Sequence, residues 1–203
     1  MKTGAPRLFR RSVLLAAVGI LALVLTACRG VGGGQLPPIT GFAAPASFGF
    51  TFSCEDKGGL NPPTGQLRIE LAYIDHGTNP LGSGFSIHGI VDQIDPVLES
   101  AICIGQNPPP LPVGQLIFLG RYHLTSSAPA GFPSTCPTRE TKTTPLCRFE
   151  VIVRDNDMNR APSPGDYFQI RLSSGTAVTS ELDPATVFYT RAGLLSSGDL
   201  TVK

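Results

Sequence analysis

The sequence RFEVIVRDNDMNRAPSPGDYFQIRL, residues 148–172, contains the clearest fold signal in the chain. Both of its halves place an apolar residue at every second position: Phe149, Val151, Val153, Phe168, Ile170 and Leu172. Side chains alternate between the two faces of a β-strand, so a period of two predicts a strand that buries one face. The stretch therefore predicts a β-hairpin whose strands are joined by an acidic, proline-bearing loop.

Segments with a similar pattern occur along the rest of the chain. We predict strands at 47–54, 66–73, 84–91, 98–104, 115–125, 185–190 and 199–203, and a short helical turn at 96–100. Glycine and proline interrupt the gaps between them and leave no window of helical period. The sequence therefore predicts an all-β fold, an antiparallel β-sandwich or barrel-like module of about eight to nine strands.

The amino terminus has the layout of an export signal. Basic residues precede an apolar run at 13–25, and Leu-Thr-Ala-Cys follows at 25–28, which resembles the bacterial lipobox. The run is too short to span a bilayer. The resemblance implies that residues 1–27 are a cleaved lipoprotein signal and that acyl chains on Cys28 anchor the protein to a membrane. The alternatives are an ordinary cleaved signal and a transmembrane anchor.

The residue after Cys28 bears on which membrane holds the lipid anchor. Arg29 stands where Asp would resemble an inner-membrane retention signal. We therefore expect the outer membrane in a two-membrane cell, or the outer face of the plasma membrane in a single-membrane cell. In both cases the protein is extracytoplasmic.

Residues 28–46 combine the lipidated cysteine with a glycine run and a proline pair, RGVGGGQLPPITGFAAPA at 29–46. Such a composition predicts a flexible tether, with a reach of roughly 25 Å. Residues 47–203 then form one β domain, long enough to bury a substantial core.

Charge limits the classes of partner. Four of the sixteen Lys and Arg residues lie in the signal, so twelve remain against fifteen Asp and Glu, a formal net charge of −3. This weak acidity, without a basic stripe, argues against nucleic acid as a partner. The expected partners are the membrane, through the lipid anchor, and an unidentified protein or envelope component.

Four cysteines remain besides Cys28, an even number that suits disulfides in an oxidising compartment. Cys136 and Cys147 flank a short Thr- and Pro-rich loop and are expected to pair locally. Cys54 and Cys103 would then form a second disulfide. The spacing contains no Cys-x-x-Cys unit, which argues against a structural zinc site.

The loop of the predicted hairpin could bind a cation. Oxygen-bearing side chains recur at Asp155, Asp157, Asn159 and Asp166, a spacing similar to that of calcium-binding loops. However, Arg160 stands where the sharp turn of such a loop needs glycine. The alternative is a solvated loop in which these side chains bond their own backbone. The sequence predicts no cofactor, unless this loop binds calcium.

Two other side-chain pairs suggest chemistry. His88 and His123 lie on predicted strands and could bind Zn²⁺ or Cu²⁺ if the strands are neighbours. Asp75 and His76 invite a hydrolase interpretation with a serine as nucleophile, but the serine at Gly82-Ser83-Gly84 does not form a G-x-S-x-G nucleophile elbow. No catalytic residues are assigned.

The strand sequences, taken in order, resemble one family of bacterial surface modules. The matching segments are SFGFTFSCEDKG (47–58), PTGQLRIEL (63–71), GQLIFLGRYHLTSS (114–127), CRFEVIVRDND (147–157), GDYFQIRL (165–172) and VFYTRAGLLSSGDLTVK (187–203). They resemble the post-COAP domain, which follows choice-of-anchor P domains. The final histidine of the family's pattern is absent, since the chain ends in Thr201-Val202-Lys203.

The resemblance implies a β fold and a location at the cell surface, and it stops short of a function. We therefore expect a non-enzymatic, lipid-anchored binding or structural module. A calcium-stabilised adhesion domain and a small secreted hydrolase are the alternatives.

Overall fold

The structure is a computed structural model that describes residues 29–56, 65–91, 114–138, 146–156, 165–177 and 181–202. Within these ranges the strands are β1 (Arg29–Leu36), β2 (Ala46–Asp56), β3 (Gly65–Asp75), β4 (Phe85–Val91), β5 (Gln115–Leu124), β6 (Cys147–Arg154), β7 (Tyr167–Ser173), β8 (Val187–Leu194) and β9 (Ser197–Val202). One 3-10 turn, Pro184–Thr186, precedes β8. Among the described residues, no helical segment has the length and apolar character needed to cross a bilayer.

All nine strands belong to one antiparallel sheet in the order β8-β7-β6-β5-β4-β3-β2-β1-β9. The two edge strands, β8 and β9, are consecutive in sequence and are linked by Leu195 and Ser196 alone. Such a link reaches at most about 11 Å. The sheet must therefore curl until its edges approach each other, which gives a half-barrel. The predicted all-β, antiparallel, barrel-like class is confirmed.

The predicted hairpin forms as β6 and β7. Its register pairs Phe149 with Leu172, Val151 with Ile170 and Val153 with Phe168. All six side chains are fully buried on the concave face. The period-two pattern thus identified both the strands and the face that enters the core.

The other strands agree with the prediction, with small shifts at their ends. β8 begins at Val187, where the predicted strand began at 185, because Asp183 caps the 3-10 turn by accepting a hydrogen bond from the Ala185 N–H at 3.0 Å. The predicted strand at 98–104 and the helical turn at 96–100 lie outside the described residues.

For residues 29–46, the part of the predicted tether that the structure describes, the prediction of a flexible tether is wrong. Residues Arg29–Leu36 form β1, which pairs with β2 on one side and β9 on the other. The glycines on its inward face serve close packing. A Cβ built at Gly30 would lie 2.6 Å from Leu116 Cδ2, and one built at Gly34 would lie 2.5 Å from the Ser197 carbonyl oxygen. Glycine is needed because Leu116 of β5, from across the interior, and the backbone of the neighbouring strand β9 fill the space that a side chain would occupy.

Aromatic side chains from distant strands fill the concave side of the sheet. Phe48 on β2 stacks on Phe168 on β7, with ring centroids 3.7 Å apart. Phe118 on β5 contacts both Phe50 and Phe52, at 5.3 and 5.7 Å. These pairs join strands that are not neighbours in the sheet, so they hold its curvature.

Candidate functional site

Three buried side chains form a hydrogen-bonded chain across the interior, which we call the tyrosine–aspartate cluster: Tyr73, Asp75 and Tyr189. The Tyr189 hydroxyl donates to Asp75 Oδ2 at 2.8 Å and lies 2.5 Å from the Tyr73 hydroxyl. Because Tyr189 has one hydroxyl hydrogen, Tyr73 must be the donor to Tyr189. The Gly77 N–H also donates to Asp75 Oδ1 at 3.3 Å. The cluster links β3 to β8, which are far apart in the sheet order.

Burial fixes the protonation of the phenols. Desolvation raises the pKa of Tyr73 well above the ordinary value, and the Tyr189 hydrogen bond and Arg191 offset only part of this. The pKa of Tyr189 is raised by desolvation and by its two polar neighbours, and that of Tyr122 is raised by desolvation alone. All three phenols therefore remain neutral donors at physiological pH.

This burial predicts cooperative loss of structure in alkali. A tyrosine whose pKa is raised in the folded state gives its full contribution to the free energy of unfolding at pH values below the unfolded pKa of about 10. That contribution is lost as the pH rises from the unfolded pKa through the folded pKa. With three such groups, the free energy of unfolding should fall by about 4 kcal/mol per pH unit well above pH 10.

Phenolate absorbance, followed together with circular dichroism during alkaline titration, tests this expectation. Three of the four tyrosines should ionise only as the circular dichroism signal of the β-sheet disappears. Ionisation of all four tyrosines in a chain that remains folded would contradict it.

Arg191, on β8, lies beside the tyrosine–aspartate cluster and is 1% exposed. Its Nη2 donates to the carbonyls of Pro37 at 2.7 Å and Ala44 at 3.2 Å, and its guanidinium carbon lies 4.1 Å from the centre of the Phe42 ring. Residues 37–45, which we call the cap turn, are thereby held over one end of the half-barrel. Among the described residues, the Nε and Nη1 atoms of Arg191 have no hydrogen-bond partner.

Two acidic residues of the predicted calcium loop bond to β9 at what we call the closing seam, formed by Asp155, Asp166, Leu200 and Val202. Asp166 Oδ2 accepts from the Leu200 N–H at 2.8 Å, and Asp155 Oδ2 accepts from the Val202 N–H at 3.2 Å. Asp166 Oδ1 also accepts from the Asn156 N–H at 3.0 Å. These carboxylates occupy the place of a neighbouring strand and protect the edge of β9.

The calcium hypothesis stays a prediction. Asp155 and Asp166 lie on either side of the loop and already accept backbone hydrogen bonds, whereas Asp157 and Asn159 lie outside the described residues. In the part of the chain that the structure describes, no group of three His, Cys, Asp or Glu side chains could hold a metal ion.

Cys136 and Cys147 form a disulfide, as predicted from their local spacing. The bond joins the β5–β6 connection to the first residue of β6, and both cysteines are buried. Cys54 lies in β2, but its side chain, like Cys28 and Cys103, lies outside the described part of the molecule. The second disulfide therefore remains a prediction.

His88 and His123 are directly opposite each other on β4 and β5. Their ring centroids are 5.4 Å apart at an interplanar angle of 80°. The structure thus brings this predicted pair together on the convex face of the sheet, and binding of Zn²⁺ or Cu²⁺ remains an expectation.

His76 hydrogen-bonds to a serine, although not in a triad. Its Nε2 lies 2.9 Å from Ser47 Oγ on the exposed surface. Asp75 points the other way, into the interior, and bonds to Tyr189 and Gly77. The predicted Asp75–His76 unit is therefore split between the two faces of the sheet, and Asp75 does not orient the imidazole.

Sequence reasoning missed the tyrosine–aspartate cluster and Arg191. The cluster joins residues 114 and 116 positions apart, and Arg191 reaches carbonyls about 150 residues earlier. A weak signal was present, because Arg191 occupies an inward position of β8, in register with the buried Ile170. An arginine at such a position needs partners to be buried.

Comparison with known proteins identifies no relative: no family model, curated protein or solved structure matches this chain.

Proposed function

We propose that this chain is a lipid-anchored protein of the bacterial cell envelope, whose single β domain acts as a non-enzymatic binding or structural module. The observation that carries the proposal is the Leu-Thr-Ala-Cys motif at 25–28, directly after a short apolar run. The Cys136–Cys147 disulfide supports an oxidising, extracytoplasmic compartment. The resemblance to the post-COAP domain supports display at a surface.

A structural role for the polar residues supports the non-enzymatic part of the proposal. The carboxylates of Asp75, Asp155 and Asp166 accept hydrogen bonds that hold strands or turns together. Arg191 likewise holds the cap turn. Among the described residues, Asp75, Asp166 and Arg191 are buried ionisable groups of the kind that active sites use, and their hydrogen bonds stabilise the fold.

Expression of the full chain with its own signal tests the proposal. The amino-terminal peptide of the purified protein should start at Cys28 and carry the added mass of a diacylglycerol, and the protein should sediment with membranes. The Cys28→Ser variant should lose the lipid and should not sediment as a processed lipoprotein. A mature terminus at another residue, without lipid, would refute the anchor.

A further inference from the structure

The convex face of the sheet carries two histidines at directly opposite positions of neighbouring strands. His88 on β4 pairs with His123 on β5 in the antiparallel register. Side chains at such positions point to the same face, with their Cβ atoms about 4.5–5.5 Å apart. The inward positions beside them are taken by Ile87, Tyr122 and Leu124, all buried in the core. Both imidazoles therefore lie on the outer surface, where each is half-buried.

The separation of the two rings suits a single metal ion. Their centroids are 5.4 Å apart. A Zn–N bond is about 2.0–2.1 Å long, so two imidazoles on one tetrahedral ion have ring centres about 5.2 Å apart. On a square-planar ion the ring centres would be about 4.5 Å apart in cis positions and about 6.4 Å apart in trans positions. The observed separation is closest to the tetrahedral value, which favours Zn²⁺ over Cu²⁺.

We propose that His88 and His123 form a zinc site on the convex face, in which each imidazole supplies one nitrogen ligand. In the described part of the chain no group of three His, Cys, Asp or Glu side chains is placed to hold an ion, so water takes the remaining coordination positions. A structural zinc site is instead closed by four protein ligands. The open positions can accept a nitrogen or oxygen donor from a partner. This proposal does not rest on the lipid anchor, and it gives the binding module a ligand.

Two hydroxyl groups lie beside the histidine pair. Ser86 and Thr125 lie two residues from His88 and His123 along the same strands, and alternate residues of a strand share a face. Thr125 Oγ1 donates to Ser86 Oγ at 2.8 Å. Since a hydroxyl both donates and accepts hydrogen bonds, this pair can bond to the water molecules that complete the coordination of the ion.

The charged residues nearest to His88 on this face have opposite signs. Glu70 on β3 and Arg121 on β5 are each directly opposite Ile90, so both lie diagonal to His88. The carboxylate of Glu70 attracts a cation and the guanidinium of Arg121 repels it, at similar distances. Because the two effects offset each other, the two Zn–N bonds determine the affinity, and we expect a dissociation constant in the micromolar range.

The third histidine of the chain provides a matched control for the test. His76 lies directly after β3 on the exposed surface, where its Nε2 is 2.9 Å from Ser47 Oγ. The full chain, produced with its own signal, is purified in detergent without a histidine tag, stripped of metal with a chelator and titrated with ZnCl₂ by calorimetry. Excess calcium keeps carboxylate sites occupied, because carboxylates suit Ca²⁺ whereas imidazole suits Zn²⁺.

We expect the wild-type chain to bind one Zn²⁺. His88→Gln and His123→Gln should each weaken this binding by at least about tenfold, the loss that even an outer-shell partner causes, and His76→Gln should leave it unchanged. Zinc should also raise the Tm of the wild-type chain and of His76→Gln, since a ligand that binds only the native state stabilises it. The Tm of the other two variants should not respond.

Proton NMR of the wild-type chain locates the ion without any substitution, so the test stands even if a variant does not fold. On addition of zinc, the assigned ring signals of His88 and His123 should move together, and those of His76 should stay in place. A chain that binds no zinc would overturn the proposal. So would binding that survives either His88→Gln or His123→Gln, or zinc-induced shifts in only one ring of the pair.

Discussion

Replacing Gly34 by alanine should lower the free energy of unfolding by about 2 kcal/mol. The added Cβ would lie 2.5 Å from the carbonyl oxygen of Ser197 and 3.0 Å from Leu195 Cδ1. A backbone oxygen cannot move to another rotamer, so β9 must shift away from β1. The lower chain entropy of alanine in the unfolded state offsets about 0.4–1 kcal/mol, which is smaller than the cost of overpacking.

Urea denaturation of the purified domain measures this effect. Val31→Ala is the matched control, because it lies on the same strand with its side chain outside, and it should change stability by less than about 0.5 kcal/mol. If residues 29–36 were a tether, neither substitution would lower the midpoint. An unchanged midpoint for Gly34→Ala would therefore contradict the packed strand.

Replacing Asp166 by alanine should have a larger effect, a loss of about 3 kcal/mol. The carboxylate is 6% exposed and accepts hydrogen bonds from the Leu200 and Asn156 N–H groups. A hydrogen bond to a charged group contributes about 1.5–3 kcal/mol, and truncation would also leave the buried Leu200 N–H without its acceptor. The edge of β9 would open at the closing seam.

Asp199→Ala is the control for charge, since Asp199 lies on β9 with its side chain exposed. That change should leave the free energy of unfolding nearly unchanged. The loss of stability caused by Asp166→Asn should lie between those of Asp166→Ala and Asp199→Ala, because an amide oxygen can replace only one of the two carboxylate acceptors. Equal stability of Asp166→Ala and Asp199→Ala would show that the seam does not hold β9.

Urea denaturation of Asp166→Ala also distinguishes a structural role of Asp166 in the closing seam from a role in binding calcium. Hydrogen bonds to backbone N–H groups require no ion, so the loss caused by Asp166→Ala should be the same with calcium and with a chelator. A ligand that binds only the native state must raise its stability. A loss that appears only in the presence of calcium would favour the ion.

The parts of the fold that sequence predicts are those with a local signal. The hairpin β6–β7 was predictable because each strand alternates, and its two apolar faces meet in register. The local disulfide was predictable because Cys136 and Cys147 are eleven residues apart. In both cases the partner is close in sequence.

The parts that sequence could not predict depend on distant partners. Glycine-rich composition is typical of flexible linkers, and only the positions of Leu116 and Ser197 show that the glycines of β1 are packed. Asp166 resembled a cation ligand because its partner, the Leu200 N–H, is 34 residues away and is a backbone group without a sequence signature. Tyr73 and Tyr189 meet only after the whole sheet has curled.

Hydrogen–deuterium exchange of residues 29–36 tests most directly whether the chain enters the sheet immediately after Cys28. With the folded domain in neutral buffer, the peptide that covers Arg29–Leu36 should exchange as slowly as its partner strand β2, because β1 is paired on both sides. Complete exchange of that peptide at the earliest time point, while β2 stays protected, would contradict the pairing of β1 in the sheet and would indicate a flexible tether.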